Sequence, residues 1–231
     1  QGLFVLEGAR LVFDALNSSY EVETFLITES ANEKYFDASV QMQRKSKNSY
    51  FISDTLSQKI SETKNSQGVF AVCKMKNENI SLKTGQKYIA LDNLQDPGNL
   101  GTVIRTAEAL GISSVIVGGG CDVFNPKVLR ASMGSVLRLD VFECQSLAPV
   151  LQKAKSLGIK TYATSPDSSA KKINETQFPK SSLCVIGNEA NGVSDEVLNI
   201  CDETVTIPML GRAESLNAHV AGAIVMWEML R

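Results

Sequence analysis

The chain has 231 residues, of which 43% are hydrophobic and 21% charged, and its formal net charge is -2. This composition is ordinary for a globular protein and excludes a largely disordered chain, which requires low hydrophobicity and high net charge. The longest apolar run, Ala221–Trp227, is too short to span a membrane as a helix. The near-neutral charge excludes a histone-type nucleic-acid binder, although a local basic patch can still bind nucleic acid on such a protein.

Short strand-like runs alternate with helix-like runs over the first 80 residues. Strands are predicted at Leu3–Leu6, Val22–Thr28, Tyr50–Ile52 and Val69–Cys73. Helices are predicted at Glu7–Leu16, Asn32–Met42 and Leu56–Ile60. The next stretch, Lys74–Gln86, is polar and marks a domain boundary, so we predict domains over residues 1–80 and 86–231. The sequence begins at Gln1 without Met and in mid-pattern, which predicts that the first domain is incomplete.

From residue 88 onward the pattern is more apolar and predicts a larger domain. Its strands are predicted at Tyr88–Leu91, Val115–Val117, Val141–Phe142, Thr161–Thr164, Leu183–Ile186 and Thr204–Ile207. Its helices are predicted at Leu100–Leu110, from Asn125-Pro126 onward, and at Leu147–Leu157, Asp195–Ile200 and Ser215–Leu230. Apolar strands that alternate with helices predict an α/β fold with a mostly parallel sheet covered on both faces.

The first candidate site follows the first strand of the second domain. Asp96-Pro97-Gly98-Asn99 has strong turn chemistry, and it lies at the carboxyl end of a strand, where open α/β sheets bind ligands. Arg105 points away from the apolar face of the helix that follows. It is predicted to lie near the N-terminus of that helix, where anions are favoured. An ordinary turn followed by a solvated arginine explains these residues equally well.

Two later segments combine polar residues with glycine or with the start of a helix. The strand at 183–186 stops at Gly187 and meets Glu189, which the pattern predicts to be exposed. Gly187 and Gly192 would let the backbone approach a ligand closely, although a tight turn also favours glycine. Further along, Ser215 and Asn217 lie where a very apolar helix is predicted to begin, and Ser215 is a good helix cap. A helix that is apolar on nearly every face must be buried in a core or an interface.

Several other features point away from competing sites. Five cysteines without CxxC spacing argue against a disulfide framework or a zinc site, and favour buried thiols in a reducing cytosol. The run Gly118-Gly119-Gly120 follows a strand, but the absence of G-x-G-x-x-G disfavours a dinucleotide-binding enzyme. His219, the only histidine, is predicted to pack in a core or an interface. The basic run Arg44–Lys47, next to Tyr50 and Phe51, is either a solvated loop or a contact to phosphate.

In this order and at these separations, the three segments resemble the SpoU/TrmH family of RNA ribose methyltransferases within the SPOUT superfamily. The matching motifs are Asn99–Arg105, Gly187–Glu189 with Gly192, and Ile207–Asn217, and the resemblance covers about residues 88–231. Residues 3–75 are similar to the substrate-recognition domain common in that family. The resemblance implies a C-terminal parallel-sheet SPOUT domain with a trefoil knot and a smaller α/β N-terminal RNA-recognition domain.

The resemblance also implies an activity and a set of site residues. The activity is S-adenosylmethionine-dependent methyl transfer to a ribose 2′-hydroxyl of structured RNA, ribosomal RNA rather than transfer RNA, by a cytoplasmic homodimer that uses no metal. The implied catalytic and RNA-facing residues are Asn99, Arg105, Glu189, Ser215 and Asn217. The implied cofactor-binding residues are Gly187, Ile207, Leu216, Thr164 and Ser165. Position 219 departs from the family, which more often has a small residue such as Ser there.

Physical chemistry bears on how these residues would act. The family's arginine is often cast as a general base, but a guanidinium with a pKa above about 12 is a poor base. We therefore expect Arg105 to bind phosphate and to stabilise the developing oxyanion, while Ser215 and Asn217 hydrogen-bond the ribose. The alternative is a non-catalytic RNA-binding protein that retains the SPOUT fold, and the intact set of catalytic residues argues against it.

Overall fold

The computed structural model describes residues 2–76, 79–167, 169–213 and 215–231, which form two β-sheets with helices packed against them. The first sheet has four strands in the order β1-β4-β2-β3. These are β1 (Leu3–Glu7), β2 (Val22–Ile27), β3 (Asn48–Phe51) and β4 (Val69–Lys74). The helices between them are α1 (Ala9–Asp14), α2 (Glu29–Lys34), α3 (Phe36–Lys45) and α4 (Asp54–Ile60). The sheet is mixed rather than mostly parallel, because β4 runs antiparallel between β1 and β2.

One helix prediction in this part of the chain is wrong. The helix expected at Asn32–Met42 is two helices, α2 and α3, which break at Tyr35. The backbone of Tyr35 leaves the helical region, with φ −120° and ψ 37°. Its ring packs against the ring of Phe13, with 5.7 Å between the two centroids. The Thr28 hydroxyl caps α2 by accepting the Ala31 N–H, so this helix also begins earlier than predicted.

The second sheet has seven strands in the order β7-β6-β5-β10-β8-β11-β9, and all its strand pairs are parallel. The strands are β5 (Lys87–Asp92), β6 (Ser114–Gly118), β7 (Asp140–Cys144), β8 (Lys160–Thr164), β9 (Lys171–Lys172), β10 (Ser182–Ile186) and β11 (Glu203–Thr206). The helices are α5 (Pro97–Leu110), α6 (Pro126–Ala131), α7 (Ala148–Ser156), α8 (Asp195–Ile200) and α9 (Ala218–Leu230). The predicted parallel sheet is confirmed, and the short edge strand β9 is an addition to it.

The order of these strands reverses between β5 and β10. From β5 the chain proceeds to β6 and β7 on one side, whereas β8, β9 and β11 lie on the far side of β10. Every residue of β6 and β10 is buried, as expected for strands covered on both faces. Ligands of open α/β sheets bind at such a reversal, outside the carboxyl ends of the strands. The fold therefore points to the loops that follow Asp92 and Ile186.

The two sheets are joined by continuous side-chain packing. One hydrophobic cluster contains residues of both, and the ring of Phe4 stacks on that of Phe124 at 4.3 Å. Arg138 adds hydrogen bonds to Asp14, at 3.1 Å, and to Glu108, at 3.2 Å. The boundary between residues 80 and 86 stays a prediction, and residues 77 and 78 of the polar stretch before it lie outside the described residues.

The sequence argued against a disulfide framework and against a membrane-spanning helix, and the structure describes the cysteines and the helices concerned. All five cysteines are free thiols, and Cys73 and Cys184 are fully buried while the other three are partly exposed. Burial raises the pKa of the Cys73 thiol to about 12, although the positive charge of Lys45 opposes this shift. None of the helices in the described ranges combines the length and the apolar character needed to cross a bilayer.

Candidate active site

A cavity of about 420 Å³ opens at the carboxyl ends of β8, β10 and β11, and most of the predicted site residues line it. Its floor is formed by the strand ends, and the segments that follow β10 and β11 form its walls. It brings together all five predicted cofactor-binding residues and two predicted catalytic residues: Thr164, Ser165, Gly187, Ile207, Leu216, Glu189 and Ser215. Asn99, Arg105 and Asn217 do not line it among the described residues.

The wall after β10 is a tight turn that depends on glycine. Asn188 and Gly192 exchange two backbone hydrogen bonds, of 2.9 and 3.0 Å, and so close the loop onto itself. A Cβ on Gly187 would lie only 2.1 Å from the carbonyl carbon of Gly192, so a larger residue at 187 would force the turn open. The close approach that the sequence predicted for Gly187 is therefore made to its own chain, and it gives the cavity wall its shape.

Glu189, on this turn, accepts hydrogen bonds from the start of α5 and the residues just before it. Its Oε1 accepts hydrogen bonds from Asn99 Nδ2 at 2.9 Å and from the Asp96 N–H at 3.1 Å, and its Oε2 accepts the Gln95 N–H at 3.2 Å. Partial burial raises the pKa of this carboxyl, but the hydrogen bonds outweigh burial and leave the pKa below its usual value. Glu189 is therefore ionised at neutral pH and acts as an acceptor only.

The start of α9 differs from the prediction. Asn217, not Ser215, caps this helix, since Asn217 Oδ1 accepts the His219 N–H at 2.9 Å and the first helical residue is Ala218. Ser215 is thereby left in the exposed segment before the helix, where it lines the cavity. The ring of His219 is half-buried, and its Nδ1 lies 3.0 Å from Asn99 Oδ1. The sequence offered no signal for this contact, which joins positions 120 residues apart.

Arg105 also lies elsewhere than predicted. The segment expected to form a turn, Asp96–Asn99, includes the first residues of α5: Asp96 caps the helix by accepting the Asn99 N–H at 2.7 Å, and Pro97 is its first residue. Arg105 is consequently in the middle of a 14-residue helix, not near its N-terminus. It therefore lies away from the free N–H groups of the first turn. Its side chain is exposed on the outer face of α5.

The cavity suits a cofactor built from a nucleoside and an amino acid. Its volume falls in the range of roughly 300–1,000 Å³ that is usual for small-molecule sites. Ile186, Ile207 and Leu216 give it apolar surface for a flat ring, and Ser165 and Ser215 give it hydroxyls. No group of three or more His, Cys, Asp or Glu side chains that could hold a metal ion is found in the part of the chain that the structure describes.

Comparison with known proteins decides the family. The model of the SpoU rRNA methylase family matches residues 86–227, which is more than half of the chain. The chain belongs to this family. A second model, the MRM3-like substrate binding domain, matches residues 1–71. Both the predicted family and its N-terminal substrate-binding part are therefore confirmed.

Two relatives with known activities support this family assignment. A 23S rRNA (guanosine(2553)-2′-O)-methyltransferase, RlmP, of Bacillus subtilis is 34% identical over 98% of this chain and 88% of its own length. A 23S rRNA (uridine(2479)-2′-O)-methyltransferase of Streptomyces viridochromogenes is 34% identical over 62% of this chain and 52% of its own length. The chain is thus similar to enzymes that methylate ribose in ribosomal RNA.

Solved structures agree over nearly the whole chain. The SpoU methyltransferase AviRb of Streptomyces viridochromogenes, in complex with AdoMet, superimposes with a TM-score of 0.86 at 28% identity and covers 99% of this chain and 89% of its own. An AdoMet-bound rRNA methyltransferase of Sinorhizobium meliloti gives a TM-score of 0.87 at 27% identity, over 99% of this chain and 87% of its own. The α/β fold with a smaller N-terminal part is the fold of this family.

Proposed function

We propose that this SpoU-family chain transfers a methyl group from S-adenosylmethionine to a ribose 2′-hydroxyl of ribosomal RNA. The cavity at the strand reversal carries this proposal, because it gathers Glu189, Ser215 and all five residues expected to bind the cofactor. The AdoMet complexes among the similar structures support the cofactor. The ribosomal RNA relatives from Bacillus and Streptomyces support the substrate.

In this proposal the cavity residues bind and orient, and none of them forms a covalent bond to the substrate. Backbone groups at Gly187, Ile207 and Leu216 hold the cofactor, and the loop at Thr164 and Ser165 closes one side of it. Thr164 Oγ1 donates to Val185 O at 3.0 Å and so ties that loop to β10. Alignment of the reacting atoms is the main contribution that such a site makes to the rate.

The reaction needs an aligned hydroxyl and a route for one proton. When bound, S-adenosylmethionine would supply an electrophilic methyl group for the ribose oxygen. Ser215 and Asn217 hydrogen-bond the ribose, and Arg105 holds a phosphate through its planar fork and stabilises the developing negative charge. The hydroxyl proton leaves to a phosphate oxygen or to water.

The N-terminal sheet is proposed to bind RNA through its edge strand β3. Tyr50 and Phe51 expose 56% and 59% of their surfaces there, and aromatic rings offer stacking surfaces to unpaired bases. The basic run beside them contributes less than its charge suggests. Lys45 donates hydrogen bonds to the carbonyl oxygens of Leu16 and Ser18, at 2.9 and 2.7 Å, so its ammonium group is already engaged within the protein.

Lys47, in the same basic run, is also paired. It forms ion pairs with Glu21 and with Glu23, the latter at 2.8 Å. The hydrogen bonds that Lys47 donates to these two carboxylates raise its pKa to about 12. Stacking by Tyr50 and Phe51, rather than a block of free positive charge, is therefore the proposed contact to RNA.

The oligomeric state and the cellular location are proposed from the same family resemblance. We propose a homodimer that pairs through the knotted domain, in the cytoplasm, with the trefoil knot formed by the segments around the cavity. Helix α9 supports this pairing: its only charged side chain is Glu228, yet Trp227 is 62% exposed and Val220 and Leu230 are more than a third exposed. Apolar surface of this kind on a terminal helix suits an interface.

Two measurements test the proposed function. Calorimetry is expected to show binding of S-adenosylmethionine, without added metal, and no binding of NAD. Transfer of a labelled methyl group to ribosomal RNA, followed by mapping of 2′-O-methyl sites in cells with and without the gene, is expected to identify one modified ribose. Binding of NAD alone, or a methyl group found on a base, would contradict the proposal; cofactor binding without any transfer would favour a non-catalytic RNA-binding protein.

A further inference from the structure

His219 contacts both asparagines of the catalytic set that the resemblance implies, Asn99 and Asn217. Its backbone N–H donates to Asn217 Oδ1 at 2.9 Å, and its ring nitrogen Nδ1 lies 3.0 Å from Asn99 Oδ1. Asn99 in turn donates from Nδ2 to Glu189 Oε1 at 2.9 Å. The turn after β10, which lines the cavity, is thus joined to the start of α5 and the start of α9 through the side chains of Glu189, Asn99 and His219.

The charge on Glu189 determines which atoms donate and which accept in the hydrogen bonds that link Glu189, Asn99 and His219. An ionised carboxylate can only accept, so the amide group of Asn99 must turn its NH₂ toward Glu189 and its oxygen toward His219. An amide oxygen also only accepts, so the hydrogen between Asn99 and His219 must be carried by Nδ1. Asn99 is only 6% exposed, so neither end of its amide can exchange its partner for water without cost.

We propose that His219 is a positioning residue that holds its ring as the Nδ1–H tautomer and thereby fixes Asn99, and through it Glu189 of the cavity wall, relative to the start of α9. The inference rests on the proposed function for its consequence in catalysis, but not for the hydrogen bonds themselves. Loss of the Nδ1 donor leaves Asn99 Oδ1 without its hydrogen-bond partner and removes the side-chain hydrogen bond between the start of α9 and α5. The reacting groups would then lose alignment while the cavity walls remain.

Two substitutions of similar size separate the hydrogen bond from packing. His219→Asn keeps a donor at the δ position, whereas His219→Leu fills the same space without one. We expect His219→Leu to lower kcat about fivefold to tenfold, the usual effect of one lost hydrogen bond, and to leave KM for RNA nearly unchanged. We expect His219→Asn to recover most of that loss. Leu forms helices better than Asn, so a purely structural role predicts the opposite order.

The tautomer can be read directly in the full chain without any affinity tag. Because His219 is the only histidine, its ring ¹⁵N signals need no assignment. In buffer alkaline enough that these signals no longer change with pH, we expect a protonated Nδ1 and a bare Nε2. Asn99→Ala is expected to release this preference, with thermal unfolding as the control that the variant is folded.

The outcomes distinguish this inference from the proposed function. If the neutral His219 ring of the wild-type protein carries its proton on Nε2, the proposed hydrogen bond from Nδ1 to Asn99 is wrong. The expected tautomer together with a His219→Leu enzyme as active as His219→Asn would overturn the positioning role. Wild-type protein that binds no S-adenosylmethionine would contradict the proposed function, and the tautomer measurement would still decide the contacts of His219.

Discussion

Glu189 and Arg105 illustrate how differently two charged residues of the same proposed site are placed. Glu189 accepts three hydrogen bonds from the start of α5, and these keep its pKa below the usual value against the opposing effect of burial. Its charge is thus committed to holding structure. Arg105 lies on the exposed face of α5 and is not part of that network among the described residues. A residue so placed is available to a group that arrives from outside, such as an RNA phosphate.

Replacing Arg105 by lysine tests its role as a phosphate clamp. Arg105→Lys keeps the positive charge but loses the fork that can bind phosphate with two parallel hydrogen bonds. We expect the methylation rate to fall roughly 10- to 100-fold, as for the loss of a hydrogen bond to a charged group, with little change in affinity for S-adenosylmethionine. Steady-state kinetics and calorimetry measure the two quantities.

The matched control is Arg10→Lys, which makes the same change at an exposed position in α1, away from the cavity. It is expected to keep the wild-type rate. An unchanged rate in Arg105→Lys as well would mean that Arg105 is an ordinary solvated residue of a helix.

At the scale of single elements, the sequence predicted the strands better than the starts of helices. Strands β5, β6 and β10 of the second sheet stand out because they are apolar on both faces, and all the strands predicted for that sheet are present. Both Ser215 and Asn217 are good caps, and propensity does not choose between them. The structure chooses Asn217 because the backbone there is extended, with φ −56° and ψ 142°, and its side chain reaches the His219 N–H.

The proposed role of the edge strand β3 in binding RNA can be tested by substitution. Tyr50→Ala combined with Phe51→Ala removes both exposed rings, and an edge strand tolerates the loss because neither ring is part of the core. We expect KM for RNA to rise at least about fivefold, since stacking on an aromatic ring is worth about 1–3 kcal/mol per base. Binding of S-adenosylmethionine and kcat at saturating RNA are expected to stay near wild type.

Leu157→Ala is the control for that variant, since it also removes an exposed apolar side chain, at the end of α7 in the second domain. It should leave KM unchanged. If the double variant at 50 and 51 does the same, RNA binds through another surface of the N-terminal domain.

At the scale of the molecule, the residues alone did not predict which distant segments contact each other. Glu189 meets Asn99 because β10 lies beside β5, although 90 positions separate the two residues. Periodicity predicts each strand but not its neighbour, so this pairing entered only through the resemblance to SpoU methyltransferases. Seven of the ten residues named from the resemblance line one cavity, and Asn99, Arg105 and Asn217 do not line it among the described residues. The contact of His219 with Asn99 was missed for the same reason, because it joins the starts of α9 and α5 across 120 positions.

The position of Arg105 leads to a prediction about assembly. It is absent from the cavity lining of its own chain among the described residues, while α9 exposes apolar surface suited to a partner. In the proposed homodimer, Arg105 of one subunit completes the cavity of the other. If Arg105→Ala and Asn217→Ala are each inactive alone, a mixed dimer has one site with both lesions and one with neither.

Random pairing of the two variants after co-refolding is therefore expected to restore roughly a quarter of wild-type activity, because half of the dimers are mixed and each carries one intact site of two. Sedimentation establishes the dimer, and differently sized tags on the two variants show that mixed dimers have formed. Absence of recovery despite proven mixed dimers would mean that each site is built from one chain. A monomer at micromolar concentration would remove the dimer itself, and Arg105 would then have to reach the RNA from the same chain that binds the cofactor.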